Sequence, residues 1–417
     1  MKKIIMQLSI LVLIFSSGCT ERTGRSEKSK TVIKKNYKIN IYDPITDTKK
    51  SIQFFASQMD FVPLQFSKEC PLAGNILKIE MSDYYIFIAT LGAVYKFNRT
   101  GSFIQKIGRM GKGPGEYPQI NSIQIDQSQK LVNIFPGKTQ GKIIQYSFAG
   151  EFIREIRFTN NDFTAFDSEG SNFIFYPFCW DKFQDNYKKL TIIDTTGQKK
   201  CSFSSNIFPA IKKGHGKVIA FGPTRDWSWK QNNKLYYLES GNDTIFRIAN
   251  DSLKQQWILT GENRLPPEKF HFSKPGSLSS DYIQLIDEAI IPANSCLYES
   301  NRFLFIRCSS HKKNYFAAYD KQENKLYRSD YEYPGDNNQQ KAYFLDDLLT
   351  GLPFNPVYRI ANNEFAAIYY PFQIISQKGI ISKFYTQNPK PATKKFLEMC
   401  NQLNENDNPI LLIAKMK

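Results

Sequence analysis

Short runs of aromatic and β-branched residues recur in pairs along the chain, and six such pairs can be counted. The first pair, residues 84–89 and 93–97, is followed by a turn and by an alternating run at 102–107. The leading run of each pair is almost wholly apolar, which is typical of a strand buried between two sheets. A unit that cannot bury both of its faces must stack on copies of itself. The pattern therefore predicts an all-β fold, a six-bladed β-propeller, with five or seven blades as the alternatives.

Glycines mark the turns of the first three copies: Gly101, Gly150 and Gly197. Glycine reaches positive φ without a side-chain clash, so it suits such turns. The intervals of 49 and 47 residues are close to the repeat of about 40–50 residues in known propellers. Three looser copies follow. The last, at residues 364–369, is predicted to continue into strands at 372–375 and 380–384.

Three segments depart from the strand pattern and are predicted to be helical: residues 282–289 within an insertion at 266–293, residues 339–349, and residues 392–403. In the third, the apolar residues, Phe396 and Cys400 among them, are spaced along one helical face. The chain then ends in a predicted strand at 408–414. Because a circular fold must join its ends, we expect this strand or residues 51–55 to complete the last blade.

The N-terminus has the features of a secretory signal peptide over residues 1–18, with two lysines before a mainly apolar stretch of about a dozen residues. That apolar stretch is shorter than the roughly 20 residues that a membrane-spanning helix needs. It ends in Ser-Ser-Gly-Cys, which resembles a bacterial lipobox and implies that Cys19 is lipidated. An ordinary signal peptide is the alternative. We expect residues 19–35 to be a flexible tether and residues 36–417 to form the propeller.

The lipid anchor makes the membrane an expected partner and the cell envelope the expected location. An outer-membrane lipoprotein of this kind would face the periplasm or the cell surface. The chain has 55 Lys and Arg against 39 Asp and Glu, a formal net charge of +16. The basic residues are scattered, which fits either a solvated basic surface or a field that steers acidic ligands. Nucleic acid is not an expected partner of an exported protein.

The cysteines match no zinc-binding spacing. Exported proteins can form disulfides, and two pairs would lie on neighbouring strands, Cys179 with Cys201 and Cys296 with Cys308. Free buried thiols are the alternative, because a chain of this length can build a full core without disulfides.

A glycine-rich segment, Ile-Gly-Arg-Met-Gly-Lys-Gly-Pro-Gly-Glu-Tyr, occupies residues 107–117. Its spacing matches neither G-x-G-x-x-G nor the P-loop, so a crossover between two blades is favoured over a phosphate-binding loop. Together with the lipobox and residues 352–356 and 408–412, this segment resembles the six-bladed β-propeller lipoproteins of Bacteroides-type bacteria, which are related to NHL-repeat propellers. The resemblance covers residues 38–417. It implies the fold and the envelope location, and it implies little about activity.

No catalytic constellation stands out in the sequence. The three histidines fall in separate predicted loops: His215, His271 and His311. Neither a nucleophile-elbow nor a zinc-protease motif occurs. The acidic pairs Asp287-Glu288 and Asp346-Asp347 are expected on helix surfaces in contact with water. We therefore expect no cofactor. Some NHL-like propellers are lyases with a metal in the central channel, so a channel metal ion stays open as an alternative.

The candidate ligand-binding residues are aromatic and basic side chains around the third and fourth copies: Trp180, Arg225, Trp227 and Trp229. At positions i and i+2 of a strand, the last two indoles share one face. There they can stack on a sugar ring while the guanidinium binds an acidic group. Burial between two blades is the alternative for these rings.

The sequence thus favours a non-enzymatic envelope lipoprotein that binds a glycan, a peptide or another envelope protein. The alternative is an NHL-type metal-dependent lyase or hydrolase with its site in the central channel. A structural subunit of an envelope assembly is a third hypothesis. A binding protein predicts aromatic and basic side chains around one mouth of the channel. An enzyme of the alternative class predicts several polar metal ligands that converge on the channel axis.

Overall fold

The computed structural model describes most of the chain, namely residues 37–72, 76–137, 140–159, 163–177, 188–205, 227–239, 242–249, 251–264, 290–310, 313–330 and 343–417. Within these residues the strands form seven sheets: five of four strands, one of five and one of two. The six larger sheets are the blades, so the predicted six-bladed β-propeller is confirmed. In chain order the strands are β1 (Tyr37–Asn40), β2 (Ala56–Pro63), β3 (Lys78–Met81), β4 (Tyr85–Ala89), β5 (Val94–Asn98), β6 (Phe103–Ile107), β7 (Ser122–Asp126), β8 (Leu131–Phe135), β9 (Lys142–Ser147), β10 (Phe152–Arg157), β11 (Phe163–Glu169), β12 (Asn172–Pro177), β13 (Lys188–Asp194), β14 (Lys199–Ser204), β15 (Trp227–Gln231), β16 (Lys234–Leu238), β17 (Thr244–Ala249), β18 (Ser252–Thr260), β19 (Ile291–Glu299), β20 (Phe303–Ser310), β21 (Lys313–Asp320), β22 (Lys325–Ser329), β23 (Phe344–Leu345), β24 (Pro353–Phe354), β25 (Tyr358–Ala361), β26 (Glu364–Tyr369) and β27 (Ile410–Met416).

Each blade except the last is built from four consecutive strands. Strands β3–β6 form blade 1, β7–β10 blade 2, β11–β14 blade 3, β15–β18 blade 4 and β19–β22 blade 5. Blade 6 has the order β2-β27-β26-β25 and so joins β2, from the N-terminal part of the chain, to the C-terminal strand β27. The first strands of the blades are neighbours around the centre, because β3 contacts β7 and β25, β7 contacts β11, and β15 contacts β19. These first strands therefore surround the central channel.

The propeller is closed by β2, which pairs with β27 from Ala56 opposite Met416 to Pro63 opposite Ile410. The C-terminal strand is where the sequence predicted it, but the prediction of residues 51–55 as an alternative closing strand is wrong. Residues Ile52–Phe54 form a short 3-10 helix instead, and Phe55 is fully buried among aromatic rings. The closing strand begins one residue later, because Phe55 packs into the core and cannot alternate along a sheet edge.

The residues before β2 cross the outer edges of two further blades. Strand β1 pairs in parallel with β18, the outer strand of blade 4. The backbone N–H of Lys49 then donates to the carbonyl of Arg328 at 2.8 Å, on the outer strand of blade 5. We call residues 37–55 the N-terminal strap. It covers sheet edges that would otherwise be open to other chains.

The region between β26 and β27 is helical, so the predicted strands at 372–375 and 380–384 are wrong. It contains α1 (Pro371–Ser376), α2 (Lys378–Gln387) and α3 (Pro391–Gln402). Proline at the first helical position favours a helix start, since its missing N–H has no intrahelical partner there. Each of the first two helices buries an isoleucine, Ile374 on α1 and Ile381 on α2. In the described residues no helix is long and apolar enough to cross a membrane.

Helix α3 confirms the helix predicted at 392–403, and its predicted apolar face is buried through Phe396 and Cys400. The helix predicted at 339–349 is wrong over its described part, where β23 pairs with β24 and a turn follows. The segment 282–289 lies outside the described residues.

The acidic pair Asp346-Asp347 lies in that turn and not on a helix surface. Asp346 is fully buried, and its carboxylate accepts hydrogen bonds from the backbone N–H of Leu349 and the hydroxyl of Thr350. Asp347 accepts a hydrogen bond from the N–H of Gln53 at 3.1 Å and so fixes the N-terminal strap. The prediction of a solvated helix surface was wrong because the sequence alone does not distinguish a carboxylate that is hydrogen-bonded in a local turn from one in contact with water.

The buried Asp346 makes stability depend on pH. Burial raises its pKa from 3.8 to about 6, although its hydrogen bonds oppose the shift. Because the folded-state pKa lies above the unfolded one, stability from this group is fully present below about pH 4 and is lost as the pH rises through about 6. At about 1.4 kcal/mol per pKa unit, the loss is about 2–3 kcal/mol. Urea unfolding across this pH range should show this slope in the wild type and in the control Asp347→Asn, but not in Asp346→Asn. An unchanged slope in Asp346→Asn contradicts the assignment.

The turn glycines adopt the backbone predicted for them, with φ of +90° at Gly101, +89° at Gly150 and +90° at Gly197. Each turn packs against the end of the preceding blade. A Cβ on Gly197 would lie 1.9 Å from the carbonyl oxygen of Arg157, the last residue of β10. Gly170 also has positive φ, +57°, but a Cβ there would meet nothing within 4 Å.

This contrast predicts different costs for two glycine replacements. Gly170→Ala should lower the free energy of unfolding by only about 1–2 kcal/mol, the cost of placing alanine in a left-handed backbone. Gly197→Ala should lower the free energy of unfolding by roughly a further 1–3 kcal/mol, because the backbone of blade 2 must shift to admit the Cβ. Urea unfolding of both variants measures the difference. Equal losses would show that the contact between blades 2 and 3 is not tight.

Four cysteines whose side chains the structure describes are free thiols: Cys70, Cys201, Cys308 and Cys400. The candidate disulfides of Cys201 and Cys308 are therefore wrong, and Cys179 lies outside the described residues. Burial raises the pKa of the Cys308 thiol to about 12, so it is unreactive at neutral pH.

Candidate functional site

The residues proposed from sequence for ligand binding are divided by the structure. Trp227 and Trp229 are on β15, the first strand of blade 4. Trp180 and Arg225 lie outside the described residues, as do the lipobox Cys19 and the three histidines.

The two indoles of β15 pack between blades 4 and 5. Trp229 is buried, its ring stacks on Tyr236 with centroids 5.4 Å apart, and its Nε1–H donates to Glu299 at 3.2 Å. Trp227 is half-buried and contacts the ring of Tyr298 edge-on. Both rings thus occupy the inter-blade position that the sequence analysis gave as the alternative to a ligand site.

The residues that alternate with these indoles belong to the channel. Successive side chains of a strand point to opposite faces, so Ser228 and Lys230 lie on the other side of β15 from the indoles. The ammonium of Lys230 donates to Oε1 of Gln124 at 3.2 Å and to the hydroxyl of Ser168 at 3.0 Å. These acceptors are on β7 and β11. Lys230 therefore joins the first strands of blades 2, 3 and 4.

Asp167 on β11 is the shared hydrogen-bond acceptor of this group of residues. Its Oδ1 accepts a hydrogen bond from Nε2 of Gln124, and its Oδ2 accepts from the hydroxyl of Ser228. The hydroxyl of Tyr176 is a third donor, 3.4 Å from Oδ2. With its amide N–H committed to Asp167, Gln124 presents its carbonyl oxygen to Lys230. The network fixes which atom each residue offers to the channel.

Strand β3 of blade 1 adds an ion pair to the same channel. Lys78 and Glu80 are two positions apart on one face of β3, and Nζ lies 3.1 Å from Oε1. Their side chains are 28% and 19% exposed, so water reaches them. We call a set of six polar side chains on these first strands the channel cluster: Lys78, Glu80, Gln124, Asp167, Ser228 and Lys230.

The two lysines of the channel cluster have opposite pKa shifts. Burial lowers the pKa of Lys230, and it outweighs the attraction of Asp167 and Glu80. Burial also acts to lower the pKa of Lys78, but there the attraction of Glu80 and Asp167 wins and the pKa is raised. The charge of Lys78 further lowers the pKa of Lys230, which places the two ammonium groups in one electrostatic environment.

The channel cluster offers ammonium, amide, hydroxyl and carboxylate groups in fixed orientations. Such a set suits the recognition of a small polar ligand. Among the described residues no group of three or more His, Cys, Asp or Glu is placed to hold a metal ion.

The glycine-rich segment is a crossover, as predicted, and connects β6 to β7. The carboxylate of Glu116 accepts hydrogen bonds from the N–H of Gly113 at 2.8 Å and from Nε of Arg109 at 2.6 Å. A Cβ on Gly111 would lie 1.9 Å from this carboxylate, so a larger residue there would displace the side chain of Glu116. The motif thus builds a self-contained loop in which Glu116 occupies the place that a bound anion would take.

Sequence reasoning missed the channel cluster. The available signal was the alternation Lys78-Ile79-Glu80-Met81, in which every second residue is polar while the others are buried. The same alternation in β15 was read only for its tryptophans.

Comparison with solved structures agrees with this fold. A Bacteroides fragilis protein described as exported has 20% sequence identity and a TM-score of 0.62, over 92% of this chain and 99% of that one. A member of the DUF4221 family from Bacteroides vulgatus has 12% identity and a TM-score of 0.47, over 87% of this chain and 97% of that one. The first likeness shows a shared fold, and the recognition of a Bacteroides-type propeller from the sequence is confirmed.

No curated protein matches the chain in sequence. A family model does match it, over residues 36–415, and so covers nearly the whole propeller. The chain belongs to the family described as domain of unknown function DUF4934.

Proposed function

We propose that this protein is an exported, lipid-anchored binding protein of the cell envelope, and that it holds a small polar ligand in the central channel of its propeller. The N-terminal signal sequence with its lipobox cysteine, Cys19, supports export and anchoring. The channel cluster supports binding. A domain on a tether at a membrane is well placed to capture solutes that pass along the envelope.

The observation that carries the proposal is the preorganisation of the channel cluster. Asp167, Gln124 and Ser228 hold one another across three blades, so their orientation does not depend on a ligand. Preorganised polar groups bind without the entropic cost of ordering long side chains. Rigid first strands also hold a site more firmly than the loops at the channel mouth.

The enzymatic alternative needs a metal ion at the channel axis. The two carboxylates of the channel cluster are engaged by protein donors, Glu80 by Lys78 and Asp167 by Gln124 and Ser228. We therefore expect elemental analysis of the purified full chain to find no stoichiometric zinc, calcium or iron, and chelators to leave its melting temperature unchanged. One tightly held metal ion per chain would favour the metal-dependent lyase or hydrolase.

Lipid anchoring is tested by replacing Cys19. Fatty-acid labelling in cells should mark the wild type and fail in Cys19→Ser, which should also leave the membrane fraction. The matched control is Cys201→Ser, because Cys201 is a half-buried free thiol of the propeller. Membrane association of Cys19→Ser would contradict the anchor.

Binding is tested by thermal shift with a panel of sugars, amino acids and short peptides. A ligand at 100 times its Kd stabilises the folded state by about 2.7 kcal/mol. Asp167→Asn should weaken the effect of any ligand that stabilises the wild type, because the orientation of Gln124 is lost. The control Asp60→Asn changes an exposed carboxylate of β2. Ligands that stabilise both variants equally would place binding outside the channel.

A further inference from the structure

We propose that the ligand of the channel cluster carries a carboxylate, held by the ammonium groups of Lys230 and Lys78. This inference rests on the proposed binding function and adds the chemical class of the ligand.

The ammonium of Lys230 has hydrogen-bond partners in the protein but no direct counterion among the described residues. An ammonium has three N–H donors. Two of them point to neutral oxygens, on Gln124 and Ser168, at 3.2 and 3.0 Å. Within the described part of the chain Lys230 forms no ion pair with a carboxylate, and its third donor has no acceptor. A half-buried ammonium in this state is stabilised by an added anionic acceptor.

Asp167 does not serve as the anionic acceptor for the ammonium of Lys230. Its two oxygens accept from Gln124, Ser228 and Tyr176, and these donors hold it in place. It attracts the charge of Lys230 from a distance and makes no direct contact with it. The protein has thus placed a carboxylate beside this lysine and used it to orient neutral groups. The direct counterion is left to a ligand.

Lys78 is on β3, the first strand of blade 1, which contacts β7, the strand of Gln124; its side chain is partly exposed to water, and its charge acts to lower the pKa of Lys230. Glu80 and Asp167 balance the charges of the two ammonium groups overall, so a ligand carboxylate would be held by direct charge-assisted hydrogen bonds and not by a positive field. Glu80 satisfies Lys78 through one bond, which leaves further donors of that ammonium for the ligand.

The formal net charge of +16 steers acidic solutes towards the protein. Of the two explanations that the sequence left open for the scattered basic residues, a carboxylate ligand favours the steering field over a merely solvated surface.

The test is calorimetric titration of the full chain with four probes: galacturonate, succinate, galactose and inorganic phosphate. We expect the two carboxylates to bind and galactose not to bind. Tighter binding of galacturonate would identify an acidic sugar as the source, and tighter binding of succinate a dicarboxylate.

Variants then assign the binding to the two lysines. Lys230→Met and Lys78→Met should each weaken carboxylate binding about tenfold or more, since a charge-assisted hydrogen bond is lost. Lys230→Arg should retain most of it. The control Lys254→Met removes an exposed lysine of β18 and should have no effect. Melting temperatures of all variants confirm that they fold.

Three results would overturn the proposal. Equal binding of galactose and galacturonate, undiminished in Lys230→Met, would reject the carboxylate and leave the channel-binding function intact. Tighter binding of phosphate than of either carboxylate would reassign the class of anion. No heat and no thermal stabilisation with any probe would reject the carboxylate class, and a hit from the wider thermal-shift panel would then decide whether the channel binds at all.

Discussion

A chain that begins at residue 64 will show no cooperative unfolding transition, whereas one that begins at residue 36 will. The difference is β2, which pairs with β27 at seven positions and buries Met59 and Val62. Without β2 the apolar strand β27 becomes an open sheet edge, and a circular fold loses the contact that joins its ends. The remaining strands are expected to collapse into an ensemble without fixed packing or to aggregate.

A chain that begins at residue 51 is the matched control, because it loses β1 and keeps β2. The lost part of the strap includes Ile39, Ile41 and Tyr42, which are buried. Each buried apolar side chain contributes about 1.5–3 kcal/mol, so this chain should unfold at lower urea concentration but still cooperatively. Urea unfolding followed by tryptophan fluorescence and circular dichroism distinguishes the three chains. Cooperative unfolding of the chain from residue 64 would mean that closure by β2 is dispensable.

Phe305→Ala will have the largest effect of any single replacement considered for this protein, about 3–5 kcal/mol of unfolding free energy. Phe305 is buried at the centre of an aromatic cluster that joins three parts of the fold. Its ring lies 5.5 Å from that of Phe55 in the strap, 5.6 Å from Phe365 in blade 6 and 5.9 Å from Phe344. The replacement leaves a cavity where blade 5, blade 6 and the strap meet, and close packing cannot refill it.

Phe372→Ala is the control for this prediction. Phe372 is on α1, and its side chain is 59% exposed, so its loss should change the unfolding free energy by no more than about 0.5 kcal/mol. Equilibrium urea unfolding of both variants provides the comparison. A cost for Phe305→Ala no larger than that of Phe372→Ala would contradict the central place of the aromatic cluster.

Most of the fold was predictable because the repeat is carried by local signals. Blade 1 has the apolar runs of β4 and β5 followed by a glycine turn and β6, and the same sequence pattern recurs in blades 2 and 3. The positive φ of Gly101, Gly150 and Gly197 follows from the turn itself, so it needs no knowledge of distant contacts.

The wrong secondary-structure predictions have their causes in contacts between distant parts of the chain. Residues 372–384 are as rich in β-branched and aromatic residues as the true strands, and the helix signal of Pro371 was outweighed by that composition. Strand β2 has no partner of its own in the repeat, since its neighbour β27 comes from the other end of the chain. Its bulge near Gln58 also interrupts the alternation that would have identified it.

The candidate site could not be read from local sequence. Gln124 and Lys230 are 106 residues apart and meet only because six blades close into a ring. The tryptophans of β15 drew attention because indoles are rare and often bind ligands, yet they serve the interface between blades 4 and 5. The functional candidates are their neighbours, Ser228 and Lys230, which the pleat turns to the opposite face.

The most direct measurement is a crystal structure of the full chain grown with galacturonate. The account predicts a carboxylate within hydrogen-bond distance of the ammonium of Lys230 and facing Lys78, with Asp167 still bonded to Gln124 and Ser228. A metal ion coordinated by Glu80 and Asp167 would contradict it. So would a ligand bound against Trp227 while the channel cluster is left untouched.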